Sequence, residues 1–345
     1  MGSLRSDRAG ATRLSRRQVL AGGLSLAALL AGCGTSTPAP PASPPDAPAG
    51  RPVAVAHKYG STTIAAEPRR VVTVGLSDHD YLLALGVVPV GLTDWYGDQP
   101  YGTWPWARAA LGPATPALLP RNDDKLDLEK IAALRPDLII GQYSGMTATE
   151  YEAASRIAPT VAQSGGFPDF GMPWQDTTRV IAQAVGRVTR GEELIAGVEQ
   201  RFAAARDQHP EFAGRSAVVA ERFEGFEARS ASDPRTRFLT SLGFVLPADI
   251  AGLAGASDTA KLSDEQVGLL DRDLLVWNAG FSPELREVLA GNALYQQLAV
   301  VRDGRVVFLD DPVLSGALTW STVLSLPFAL DALTPVLAGA LDGRP

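Results

Sequence analysis

The sequence predicts an α/β protein built as two Rossmann-like lobes joined by a single long α-helix, with a ligand cleft between the lobes. Three features carry that expectation. Short β-branched runs alternate with amphipathic helical stretches, the pattern of α/β units. One 15-residue segment recurs without a gap 136 positions further on. Between the two copies lies a helical pattern long enough to cross from one lobe to the next. Composition agrees: 345 residues, 46% hydrophobic and 20% charged, exceed one ordinary domain and exclude general disorder, and a single cysteine excludes a disulfide scaffold.

The chain opens on charge. Arg5, Arg8, Arg13, Arg16 and Arg17 precede an apolar or small stretch from Val19 to Gly32, too short for a stable membrane span but the length of a signal h-region. Residues 1–32 therefore read as a signal peptide. Ser15-Arg16-Arg17-Gln18-Val19-Leu20 resembles a twin-arginine export signal. Leu30-Ala31-Gly32-Cys33 resembles a bacterial lipobox, whose cysteine is acylated and becomes the new N-terminus. Cys33, the one cysteine of the chain, stands where a lipobox needs it. Residues 33–52 carry six prolines between Pro38 and Pro48; without a hydrophobic period they read as a semi-rigid tether. The formal charge of the whole chain is −7, and five arginines against one aspartate in the first 32 residues leave −11 for the remainder. A nucleic-acid partner is thereby disfavoured, since phosphate binding needs clustered positive charge.

The folded part divides into an N-terminal lobe (53–188), an interlobe helix (189–210) and a C-terminal lobe (211–345). In the first lobe Val71–Val74 reads as a strand, Tyr81–Leu85 as a helix ended by Gly86, and Val87–Leu92 and Leu138–Ile140 as strands. In the second, Ala217–Ala220, Leu274–Trp277 and Val306–Leu309 read as strands. Between the lobes, Thr189 and Glu192 have capping-box spacing, Leu194, Ile195, Val198, Phe202 and Ala205 form one stripe, and Pro210 stops the helix.

The repeat pairs LDLEKIAALRPDLII (126–140) with LSDEQVGLLDRDLLV (262–276), each a short helix, a turn and a buried parallel strand. A weaker echo pairs Leu85-Gly86-Val87 with Leu242-Gly243-Phe244. The spacing between these markers is 41 residues in the first half and 20 in the second. The surplus contains Trp95, Tyr96, Tyr101, Trp104 and Trp106.

With these segments in order, residues 58–340 resemble the cluster-A substrate-binding proteins of ferric-siderophore and vitamin B12 ABC importers. The likeness rests on GSTTIAAEPRRVVTVG followed by YLLALGVVPVGLTDW, on LDLEKIAALRPDLIIG with YEAASRIAPTV, and on LTSLGF, LSDEQVGLLDRDLLVW and YQQLAVVRDGRVVFLD. GLTDWYGDQPYGTWPWA is similar to actinobacterial iron-siderophore binding lipoproteins. The resemblance implies a monomeric, non-enzymatic receptor that captures a ferric siderophore and passes it to a dimeric permease with its ATPase. It implies no intrinsic cofactor, a lipid anchor on the outer face of the cell membrane, and one glutamate per lobe, Glu129 and Glu265, that docks on the permease.

Ligand contacts are expected just past the carboxyl ends of the strands. That selects Ser77 and His79, Trp95 and Tyr96, then Tyr143 in the first lobe, and Arg222, Phe223, Asn278 and Trp320 in the second. Aromatic rings supply flat contact area, and arginine supplies charge and stacking. Trp277, inside an apolar strand, reads as core. Direct metal ligation is not expected: His57, His79 and His209 lie far apart, with no metal-binding spacing. Haem or cobalamin is the alternative ligand, and a structural envelope lipoprotein or a serine hydrolase the alternative class. Gly75-Leu76-Ser77-Asp78-His79 approaches the hydrolase elbow but has His79 where its last glycine belongs.

Overall fold

A computed structural model of the protein describes residues 50, 52–94, 97–120, 125–223 and 225–343. The signal segment, Cys33 and nearly all of the tether lie outside the described residues, as do Trp95 and Tyr96. Among the described residues, no helix is long and apolar enough to cross a membrane.

The first elements form a hairpin not foreseen from the sequence. β1 (Val53–His57) pairs antiparallel with β2 (Gly60–Ile64) through a turn in which Gly60 takes φ 123°, a conformation open to glycine. Five parallel strands then make the N-terminal sheet: β3 (Val71–Thr73), β4 (Gly91–Asp94), β5 (Ala117–Pro120), β6 (Leu138–Gly141) and β7 (Thr160–Ala162), in the order β5-β4-β3-β6-β7. β3 (Val-Val-Thr) and β6 (Leu-Ile-Ile-Gly) are buried along their whole length, as a parallel sheet covered on both faces requires. The strand expected over Val87–Leu92 is displaced to Gly91–Asp94; Pro89 lacks a ladder donor, and pairing begins past it.

The C-terminal sheet departs from the expected Rossmann-like form. β8 (Ala217–Arg222), β11 (Leu274–Trp277) and β12 (Val306–Phe308) are parallel. β9 (Phe226–Arg229) folds back antiparallel on β8, and β10 (Thr259–Leu262) antiparallel on β9, giving the order β10-β9-β8-β11-β12. Only three residues separate β8 from β9, too few for a parallel crossover.

The repeat has a structural reason. Asp137 accepts hydrogen bonds from the backbone N–H of Arg69 (2.8 Å) and Arg70 (2.8 Å), just ahead of β3. Its counterpart Asp273 accepts from the N–H (2.8 Å) and Oγ (2.7 Å) of Ser216, just ahead of β8. Each aspartate thus clips the start of its own strand to the start of the neighbour. The helices before them are capped alike, by Asp127 accepting from the Lys130 N–H and by Ser263 in a capping box with Gln266. The second helix, Asp264–Leu270, is of 3₁₀ type, whereas the first, Leu128–Ala133, is α-helical. Gly86 (φ 76°) and Gly243 (φ 104°) both close helices in left-handed conformations, which explains the weaker echo.

The interlobe helix is Val188–Gln208, 21 residues and about 31 Å long at 1.5 Å per residue. Ile195, Val198 and Phe202 are buried and Leu194 and Ala205 partly so, as the stripe predicts. The capping box does not form. Arg187 occupies the cap position without a side-chain capping bond, and Glu192 instead pairs with Arg179 of the preceding helix at 2.9 Å. The helix ends ahead of Pro210, with His209 as its C-cap. One apolar cluster runs from Ile181 of the first lobe through Ile195 and Phe202 to Phe238, Leu330 and Leu337 of the second.

A second bridge comes from the surplus segment. Trp104 and Trp106 stack at 5.1 Å with planes 9° apart. They reach across to the C-terminal lobe, where Trp104 meets Phe281 edge-on at 6.3 Å and Trp106 tilts on Phe328 at 5.9 Å. A Cβ added to Gly316, on the second-lobe helix Pro312–Trp320, would lie 2.8 Å from the Trp104 ring. Asp80 accepts from Trp106 Nε1 (2.7 Å) and from Thr322 Oγ1 (2.7 Å), so one buried carboxylate joins the two lobes.

Candidate functional site

An opening between the lobes has a volume of about 650 Å³, the size of a small-molecule site. Leu76, Tyr143 and Phe170 come from the N-terminal lobe, and the rest of the described wall comes from the C-terminal lobe. A smaller cavity that shares Tyr143 and Trp320 with the cleft, and is bounded further by Tyr81, Trp174 and Phe238, measures about 20 Å³, room for one water rather than a chelate.

The first-lobe side of the cleft is set by a buried carboxylate. Asp78, fully buried at the start of helix Asp78–Ala84, accepts the backbone N–H of Gln142 (2.7 Å) and of Tyr143 (3.0 Å). Those bonds fix the loop after β6 and present Tyr143 to the cleft. Burial pushes the Asp78 carboxyl up to about 7, against the two N–H donors that favour its charge. Gly75 makes room: a Cβ there would lie 2.1 Å from Asp78 Oδ2. Tyr143 then meets Phe170 at 5.0 Å and Trp320 at 6.3 Å, both edge-on. Phe170 holds φ 64°, which bulky residues rarely adopt, and its ring occupies space that a Cβ on Gly145 would enter at 2.7 Å. Such strain is typical of ligand clamps.

The second-lobe wall is a knot of charge. Glu221, on β8, pairs with both Arg229 and Arg235 and accepts from Asn278 Nδ2. Arg235 also forks onto Asp233 through Nε (2.8 Å) and Nη2 (2.6 Å). Arg229 lies 3.5 Å from Glu227 and donates to Thr259 Oγ1 at 2.6 Å. Burial opposes the charge of Arg235, but Asp233 and Glu221 outweigh it and hold its proton well above the ordinary arginine range. Burial likewise pushes Asp233 up, and Arg235 and Arg229 more than offset it, leaving the carboxyl below its usual range.

The residues singled out from the sequence divide. Tyr143, Arg222, Phe223 and Trp320 line the cleft. Arg222 ends β8, and Phe223, 81% exposed, sits at the tip of the β8–β9 turn. Trp320, 5% exposed, ends its helix against the floor. Asn278 also lines it, with its amide engaged by Glu221, by Thr319 Oγ1 (3.0 Å) and by Ser315 Oγ (2.6 Å). Ser77 and His79 are buried, each 3% exposed, and stand behind the wall rather than on it; Leu76 takes their place. His79 lies in the helix Asp78–Ala84, and burial lowers its pKa despite Asp80 3.7 Å away. No hydrogen bond joins Ser77 to His79 among the described residues, so the elbow-like pentapeptide assembles no nucleophile–base pair. Trp277 is fully buried core, as read, and donates from Nε1 to Tyr295 Oη at 3.0 Å. No cluster of metal-ligating side chains occurs among the described residues.

Sequence reasoning missed Glu221, Glu227, Arg229, Arg235, Phe170 and Phe281. For Arg235 a signal existed: Asp233-Pro234 is an N-cap followed by proline at the first helical position, which places the next residue at a helix start.

The sequence matches the model of the family described as periplasmic binding protein over residues 71–313. It is 38% identical to a periplasmic solute binding protein of Mycobacterium smegmatis, with a TM-score of 0.74, covering 84% of this chain and 99% of that one. Against PiaA of Streptococcus pneumoniae in complex with ferrichrome, the identity is 25% and the TM-score 0.72, over 85% of this chain and 100% of the other. A probable siderophore-binding lipoprotein of Bacillus subtilis is 27% identical over 274 residues, 75% of this chain and 80% of the relative.

Proposed function

The chain belongs to the periplasmic binding protein family, and from that premise we propose that it is the extracytoplasmic receptor of an ABC importer, capturing a ferric siderophore for iron acquisition. The observation that carries this reading is the interlobe cleft of about 650 Å³. Tyr143, Phe170, Phe281 and Trp320 offer flat aromatic contact there, with charged groups between them. Two relatives support it: the PiaA complex holds ferrichrome, and the Bacillus subtilis lipoprotein is described as siderophore-binding. Trp320 in the wall supplies the assay. Titration with ferric siderophores is expected to quench tryptophan fluorescence saturably; silence from every ferric chelate, or a Soret shift with haem in their place, overturns the reading.

Delivery requires a permease, and we place its contacts at Glu129 and Glu265. Both are exposed, and each sits two residues past the cap of its repeat helix, Asp127 or Ser263. The repeat makes them equivalent, one anionic knob per lobe, which suits a two-fold symmetric partner. At the other end of the chain, outside the described residues, the lipobox reading of Cys33 gives the receptor its lipid anchor and the twin-arginine motif its export route.

A further inference from the structure

The siderophore reading leaves the charge of the chelate open, and the cleft wall bears on it. Three guanidiniums, Arg222, Arg229 and Arg235, line the cleft, a surface that at first sight suits an anion. Two of them are already spent. Arg235 is held by Asp233 on two nitrogens and by Glu221 on the third. Arg229 is held by Glu221 and Thr259, with Glu227 at 3.5 Å and Asp258 at 3.9 Å. Glu221, Glu227 and Asp258 themselves line the cleft, and Asp233 stands directly behind it. Among the described residues, three guanidiniums therefore face four carboxylates. Only Arg222, at the mouth, has no ion pair within the described chain.

A polyanionic chelate entering here meets no net positive charge: the three lining carboxylates match the three guanidiniums, Asp233 adds a fourth behind them, and the protein's own carboxylates occupy the arginine forks the chelate would need. Displacing them would strand Glu221 and Asp233, both closely packed against Arg235, without their counter-charges, and uncompensated buried charge is costly. A chelate without net negative charge avoids both penalties and keeps the aromatic contacts. We infer that the cleft selects ferric chelates of zero or positive net charge, the tris-hydroxamate class, over polyanionic ferric carboxylates and catecholates. The inference rests on the siderophore reading and narrows it.

The test is a fluorescence titration of the full chain with four probes: ferrichrome (neutral), ferrioxamine B (cationic), ferric dicitrate and ferric enterobactin (both anionic). The hydroxamates are expected to bind about 100-fold more tightly than either anion, the size of a like-charge mismatch at close range. The Kd of neutral ferrichrome should move less than about threefold between 50 and 300 mM salt, since no net charge pairing drives its binding. Glu227→Gln, checked by circular dichroism for an unchanged fold, should narrow the gap by about tenfold by removing one wall carboxylate. Equal or tighter binding of dicitrate or enterobactin overturns the charge inference and leaves the siderophore reading standing. Silence from all four probes overturns both.

Discussion

Replacing Gly316 by alanine pushes a methyl group into the Trp104 ring. Gly316 lies inside the helix Pro312–Trp320, and the added Cβ would come within 2.8 Å of two ring carbons. Relief of such an overlap in a packed site costs about 1–3 kcal/mol. Working against that, alanine is favoured over glycine in a helix interior by about 1 kcal/mol. The net expectation is a loss of up to about 2 kcal/mol. In a Trp104→Ala background the obstacle is gone, and the same substitution should stabilise by about 1 kcal/mol. Trp104→Ala alone, at a residue 4% exposed, should cost about 3–5 kcal/mol. The cycle therefore predicts a coupling of about 1–3 kcal/mol and, more sharply, a change of sign. Urea unfolding followed by circular dichroism measures all four proteins, with m-values compared to confirm a common transition. If Gly316→Ala has the same sign in both backgrounds, the tryptophan does not bridge the lobes as described.

Four further outcomes are expected. Asp78, raised from 3.8 to about 7 by burial, contributes stability that is full below about pH 4 and is lost as pH rises through 7, because the folded state binds the proton more tightly than the unfolded one. Asp78→Asn should therefore gain about 3 kcal/mol on wild type between pH 4.5 and 8 in urea unfolding; a difference that stays constant with pH refutes the assignment. Glu129→Ala with Glu265→Ala should leave chelate affinity within about twofold yet strongly reduce uptake and stimulation of transporter ATPase, as loss of rim charges in a docking surface predicts; normal uptake reduces both residues to helix-start charges. Cys33→Ser should release the protein from membranes with unchanged affinity, since acyl chains supply about 0.8 kcal/mol per buried CH₂; retention after a carbonate wash refutes the anchor. With the long helix and the tryptophan bridge both in place, ligand should change the radius of gyration by less than about 1 Å in small-angle scattering, and a fall of several ångströms would contradict the bridge.

What the sequence shows and what it hides follow from how local each signal is. The repeat was readable because Asp137 and Asp273, with the leucines around them, serve the turn and strand in which they lie. Trp277 was readable as core because its neighbours in the strand are apolar too. The capping box failed because Arg179, on another helix, competes for Glu192. The antiparallel β9 and β10 went unread: Phe-Glu-Ala-Arg and Thr-Ala-Lys-Leu are short and poor in β-branched residues. That omission hid Glu227 and Arg229, which enter the cleft from a strand running against its neighbours, where a search at the carboxyl ends of parallel strands does not look. The surplus aromatic segment was visible as an excess, but its partners Phe281, Gly316 and Phe328 lie more than 170 residues away.

The apolar cluster that runs unbroken from Ile181 through the interlobe helix to Leu337 bears on how long such a receptor lasts outside the cell. Extracellular proteases cut chains that have opened, and where opening is rapid and reversible the rate of cutting follows the open population. Two lobes with separate cores would each open at their own smaller free energy. Each lobe also keeps a smaller cluster of its own, but sharing the largest one means that neither lobe opens fully without exposing the other's apolar face, so the cheapest cleavable state moves toward the globally unfolded one. For a receptor that works beyond the cytoplasm, out of reach of ATP-driven chaperones, that continuity lengthens the working life, and a bound chelate lengthens it further by mass action.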